Sequence, residues 1–135
     1  MSLQEIQIAV QNGGGIRTSI PKGQITVGQV ISVLPFTNTL ATMHLTGAEL
    51  KQAFEHSLKE YPQESGGFLH ISGGKVQFDS SKPVGQRVVS VEYYDKNNEL
   101  QPIEDAKTYK FATNAFTAKG GDGYDMFKKA YDEGR

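Results

Sequence analysis

No cysteine occurs in the 135 residues, which excludes disulfides, thiolate metal ligands and cysteine nucleophiles together. Long hydrophobic runs are missing as well: nothing approaches the roughly 20 apolar residues that cross a bilayer as a helix. So is an excess of charge. Fourteen Lys and Arg against fifteen Asp and Glu leave a formal net charge of −1 and a pI near 6.3, and no basic stripe marks a surface for duplex nucleic acid. The three histidines, His44, His56 and His70, form no His-x-His, His-Glu-x-x-His or Asp-x-His pair. A two-metal hydrolase needs several such ligands converging on ions about 4 Å apart, so these histidines read as structural. Ser19, Ser57 and Ser65 lack the context of a nucleophile elbow. The expectation is a binding site without a catalyst.

Glycine, by contrast, is abundant: 15 in 135 residues against a usual share of about 7%, so many turns are tight or functional. Two runs stand out. Asn12 to Arg17 holds three consecutive glycines between an amide and a guanidinium; such a turn can approach a ligand closely and adopt positive φ. Phe116 to Tyr124 offers an aromatic face, the turn Gly120-Gly121 and the carboxylate of Asp122. Together they supply a ring to stack on, an acceptor for ribose hydroxyls and donors for anionic oxygens. The first run fits neither dinucleotide-binding nor P-loop spacing. Taken alone it is more often simply a turn, and Arg17 a surface cation.

The length fits one domain with a real core. Met1-Ser2-Leu3 carries neither a charged leader nor an apolar segment. It reads as an appended start, with residues 4–135 as the domain and Gln4 onward as the interior of a longer protein. Ile6, Ile8 and Val10 alternate in a strand aimed into the first glycine run. Thr26 and Gln29 form a capping box ahead of Val27, Val30, Ile31 and Leu34, and Pro35 ends that helix. Leu40 to Leu45 reads as a strand, and Thr46 with Glu49 caps a second helix. There Leu50, Ala53, Phe54, Ser57 and Leu58 form the buried stripe, with Lys51, Gln52, Glu55 and Lys59 facing water.

Phe68 to Ser72 and Lys75 to Asp79 read as a hairpin across Gly73-Gly74. Strands follow at Arg87 to Asp95, Glu99 to Ile103 and Thr108 to Asn114, and a final helix runs from Asp122 to Asp132. Helices and hairpins without regular βαβ alternation indicate the α+β class. Phe68 and Phe111 read as core. Phe36 reads equally as a core plug or a stacking ring, whereas Phe116, past a strand end and before a glycine turn, is poorly placed for core. Asp122 can close the turn, cap the final helix or accept from a ribose diol, and these uses are compatible.

These residues resemble the C-terminal, substrate-binding domain of the 5'-nucleotidase family, which includes UDP-sugar hydrolases and 2',3'-cyclic nucleotide phosphodiesterases. The resemblance rests on Asn12 to Arg17 (N-x-G-G-I-R), Thr26 to Phe36, Leu45 to His56, and Phe116 to Tyr124 (F-x-x-x-G-G-D-G-Y), nearly the whole chain. It implies a four-layer α-β-β-α domain and a substrate-binding set of Asn12, Gly14, Arg17, Phe36, Phe116, Gly121 and Asp122. Within that set Phe36 and Phe116 sandwich a nucleobase, Asp122 binds ribose, and Asn12 and Arg17 contact base or phosphate-side groups. It further implies a nucleotide or nucleoside ligand, no cofactor in this domain, and an extracytoplasmic parent. The hydrolytic site, with two divalent ions such as Zn or Mn, falls to a separate N-terminal metallophosphatase domain. The 5'-nucleotidase branch is the first expectation, the cyclic phosphodiesterase branch the second, and a non-catalytic nucleoside-binding module the third.

Overall fold

A computed structural model describes residues 5–135; the reading of Met1 to Leu3 as an appended start lies outside them. Among the described residues, seven strands form two sheets. The first orders β2 (Leu40–Thr46), β7 (Thr108–Asn114), β1 (Ile8–Asn12) and β3 (Leu69–Ser72); the second orders β4 (Gly74–Phe78), β5 (Val88–Tyr94) and β6 (Leu100–Pro102). The β1–β7 pair is parallel and every other pair antiparallel. Strand alternation decides which face is core. Ala41, Met43 and Leu45 stand opposite Thr113, Phe111 and Tyr109, all of them buried, as are Ile8, Val10 and Asn12 of β1.

Helix α2 (Gly47–Ser57) starts as its capping box predicts. Thr46 Oγ1 accepts from Glu49 N at 3.2 Å, and Glu49 Oε2 accepts from Thr46 N at 2.8 Å. Its buried residues Leu50, Ala53, Phe54 and Ser57 face β2 on one side and β5 on the other. Glu55 departs from expectation: it accepts from Arg87 N and Val88 N at 3.0 and 2.7 Å, so it ties α2 to β5 instead of facing water. Helix α4 (Asp125–Asp132) buries Phe127 and Ala130 against the first sheet. The rings of Tyr124 and Phe127 stack there at 5.0 Å, with Phe111 at 4.9 Å from Phe127. Helix α1 (Val27–Val33) forms with its own capping box but buries no residue.

The α+β class is as expected, and two local readings are corrected. The segments flanking Gly73-Gly74 do not form a hairpin: β3 pairs with β1, and β4 pairs with β5 in the other sheet. Gly73, at φ +83°, lies so close to β1 that a Cβ would sit 2.2 Å from Gln7 O. The turn therefore passes the chain from one sheet to the other. The last helix starts at Asp125, not Asp122; Gly121–Gly123 form a separate 3-10 turn, and a short helix, α3 (Ala115–Ala118), precedes it. Among the described residues no helix is long and apolar enough to cross a membrane.

Candidate functional site

Strand β1 delivers the buried Asn12 into a 3-10 turn over Gly13–Gly15. That turn presses against the loop before β3, with Gly13 N donating to Phe68 O at 2.7 Å and Gly14 N to Gly66 O at 2.8 Å. Positive φ is not the reason for these glycines, since none of the three adopts it. Close approach is: a Cβ on Gly14 would lie 3.2 Å from Gly66 Cα, and one on Gly15 only 2.1 Å from the Gln11 amide nitrogen. Past the turn, Arg17 donates to Gly14 O at 3.2 Å and holds its guanidinium 5.8 Å from the centre of the Phe36 ring. Phe36, just beyond α1, is 56% exposed, so it is no core plug.

On the opposite side α3 carries Phe116, 48% exposed. Its ring rests on Gly121, where a Cβ would meet Phe116 Cε1 at 2.5 Å. Asp122 follows in the left-handed region, φ +59°, a conformation that costs a non-glycine residue and needs outside support. Two bonds supply it. Asn12 Nδ2 donates to Asp122 Oδ2 at 2.9 Å, and His56 Nε2, reaching from α2, meets Asp122 O at 2.8 Å. A carbonyl only accepts, so His56 carries its proton on Nε2. Asp122 makes no side-chain cap for α4, whose N-cap is Tyr124.

Tyr124 anchors the same turn by donating to Gly67 O. Burial pushes its phenol far above the usual tyrosine range; a hydrogen bond with Ser57 opposes that rise and the Asp122 charge adds to it. It therefore stays a donor at any ordinary pH.

A cleft of about 510 Å³ opens between these walls, lined by Asn12, Gly14, Arg17, Phe36, Phe116 and Asp122. Six of the seven expected site residues thus converge, from positions 12 to 122. Gly121, the seventh, lies beneath Phe116 rather than on the cleft wall. Gly15, Thr37 and Asn38 complete the lining, and the sequence reading passed over them. Phe68, expected in the core, is only half-buried and lies edge-on to His70, while Phe111 is fully buried. A larger hollow, about 770 Å³, lies beside Tyr94, Lys96 and Lys110 and shares no residue with the cleft. Among the described residues no three His, Cys, Asp or Glu come together as a metal site.

Residues 1–129 match the family described as "5'-nucleotidase, C-terminal domain". The chain is 41% identical over 124 residues to the trifunctional nucleotide phosphoesterase YfkN of Bacillus subtilis, covering 92% of this chain and 8% of that one. It is 42% identical over 130 residues to the snake venom 5'-nucleotidase of Macrovipera lebetinus, covering 91% of this chain and 32% of the relative. The crystal structure of a 5'-nucleotidase precursor from Thermus thermophilus superposes with a TM-score of 0.88 at 48% identity, over 93% of this chain and 24% of that one. The chain thus spans a third or less of each of these proteins. A family match over residues 1–129, a shared fold and relatives 41% and 42% identical agree: the chain belongs to the 5'-nucleotidase C-terminal domain family.

Proposed function

We propose that the cleft binds the nucleoside part of a nucleotide and serves as the specificity domain of a 5'-nucleotidase. The parent hydrolyses nucleoside 5'-phosphates to nucleoside and phosphate. The observation that carries this reading is the pair of half-exposed rings, Phe36 and Phe116, on one cleft with the Asp122 carboxylate. Two rings left half in water across one concave site offer their faces to a flat apolar partner. Stacking of a base on each face is worth about 1–3 kcal/mol. Asp122, an acceptor only, suits a ribose diol, and Asn12 and Arg17 supply donors toward base and phosphate.

Among the described residues no group fits a dimetal centre; family resemblance assigns the two divalent ions, such as Zn or Mn, to an N-terminal metallophosphatase domain of the parent. This domain positions the substrate, and bond cleavage occurs elsewhere. The snake venom relative supports an extracytoplasmic parent.

An amide-resolved NMR titration with adenosine and AMP, repeated on Phe116→Ala, tests the reading. Saturable shifts around Phe36, Phe116 and Asp122 are expected, with affinity near millimolar, no phosphate release from AMP, and binding reduced about 5- to 150-fold by the substitution. A parallel titration with 2',3'-cyclic AMP ranks the cyclic phosphodiesterase alternative. No shifts up to the solubility limit of the nucleosides would overturn a pocket formed by this domain alone.

A further inference from the structure

Behind the cleft lies a closed set of side-chain amides whose orientation is forced from both ends. Asn114, at the end of β7, is buried and caps α3: its Oδ1 accepts from Thr117 N at 2.9 Å and from Thr117 Oγ1 at 3.1 Å. A backbone N–H only donates, so the cap pins Oδ1 toward α3 and turns Nδ2 the other way. Nδ2 donates to Asn12 Oδ1 at 2.8 Å and to Gln11 Oε1 at 3.3 Å. Gln11 Nε2 also donates to Asn12 Oδ1, at 3.1 Å.

The Asn12 oxygen is thereby saturated, and its Nδ2 must face outward. There it meets the Asp122 carboxylate, an acceptor only. The relay has one polarity, from the cap of the helix bearing Phe116 to the turn bearing Asp122. Gly15 makes room for it, since a Cβ there would displace the Gln11 amide.

We propose that Asn114 is a positioning residue that sets the cleft's stacking ring and its carboxylate as one unit. One side of its amide places α3, and hence Phe116. The other side orients Asn12, and through it holds Asp122 in its left-handed conformation with the carboxylate toward the cleft. Asn114 touches no ligand itself. The inference deepens the nucleoside reading given above and rests on it for its ligand readout, while the relay itself is measurable without ligand.

The test compares wild type with Asn114→Asp and Asn114→Ser. Both retain a good N-cap acceptor for α3, and both remove the Nδ2 amide, with its two protons, that bridges Asn12 Oδ1 and Gln11 Oε1. The serine variant adds no buried charge and covers the case in which the aspartate variant fails to fold. The probes are adenosine and 2',3'-dideoxyadenosine, which stack alike but differ in the diol. The expected result is an adenosine affinity lower by about tenfold in both variants, with dideoxyadenosine affinity and α3 amide shifts unchanged.

Without ligand, the nuclear Overhauser contact between the Asn12 side-chain amide and the Asp122 Cβ protons should disappear. Retention of that contact overturns the proposal. So does an equal loss for both ligands, which marks a structural role only. If wild type itself shows no diol preference, the ribose reading fails, and the ligand-free contact alone decides the relay: lost, it stands; kept, it falls.

Discussion

Helices α1 and α2 begin with the same device and end in opposite surroundings. In each, a threonine hydroxyl accepts from the N3 amide at 3.2 Å, and the N3 side chain accepts from the threonine amide at 2.8 Å. In α2 the apolar stripe meets strands on two sides. In α1 the equivalent stripe meets almost nothing: Val27 is 77% and Ile31 60% exposed, and among the described residues no element covers them. A cap is local chemistry and fixes where a helix starts, whereas burial requires a second surface that the helix sequence does not encode. The difference reaches the cleft. Asp122 is tied through His56 to the packed helix, while Phe36 stands at the end of the exposed one, which is held chiefly by its cap and the Arg17 N to Val33 O bond of 2.8 Å. One wall of the cleft is tied into the packed core and the other is not.

The strongest break of this comparison is a pair of truncations. Leu50→Ala removes a fully buried side chain and should cost about 2–5 kcal/mol in urea unfolding. Ile31→Ala, on the exposed stripe of α1, should stay within about 0.5 kcal/mol of wild type. Equal losses would mean that α1 is packed against something in solution. The capping threonines give a smaller contrast. Thr46→Ala should lower global stability by about 1 kcal/mol. Thr26→Ala should instead fray α1 locally, seen as loss of helical Cα shifts over Val27–Val33 with the unfolding midpoint nearly unmoved. A midpoint shift as large as that of Thr46→Ala would contradict the local account.

The same distinction governs what was legible in the sequence. Alternation marks β1, the segments of β2 and β7 also read as strands, and capping chemistry locates both helix starts, because each signal lies within a few residues. The partition of strands between sheets was hidden. Two short strands around Gly73-Gly74 read alike whether they pair with each other or part company, and the contact that separates them, Gly73 against Gln7, comes from far back along the chain. Helix α3 was hidden because Asn114 is at once the last strand residue and the cap. At the cleft, Asn12, Arg17, Phe116 and Asp122 are visible as chemistry beside glycine turns, whereas Phe36, after Pro35, reads equally as core until the family resemblance is added. Asn38 and Asn114 are not visible, since ordinary polar residues gain a role only through partners that folding supplies. Asn114 meets Asn12 across 102 positions.

The subtlest difference between the two caps is that only one can titrate. Position N3 holds Gln29 in α1 and Glu49 in α2. Burial alone would raise the Glu49 carboxyl, but hydrogen bonds from Arg135 and Thr46, with the Arg135 charge, hold it below the usual glutamate value. Arg135 grips it with two bonds, at 2.7 and 3.1 Å. A carboxyl whose pKa is lower in the folded state binds fewer protons there than when unfolded. Its contribution is therefore complete above the usual glutamate value and is lost as pH falls through the lowered one. Unfolding midpoints measured down through the acid range should show this loss in wild type, and Glu49→Gln should make the acid limb shallower. Some slope will remain in that variant. Asp79, through the Ser81 hydroxyl and amide, and Asp95, through the Glu99 amide, are also held low and are unaffected by it. Gln29→Glu converts the α1 cap to the α2 chemistry. It should add a titration visible in α1 shifts but leave the global acid limb unchanged, because a helix start without a packed helix behind it transmits little to the rest of the fold. An equal steepening of the global limb would show that α1 is as cooperative as α2.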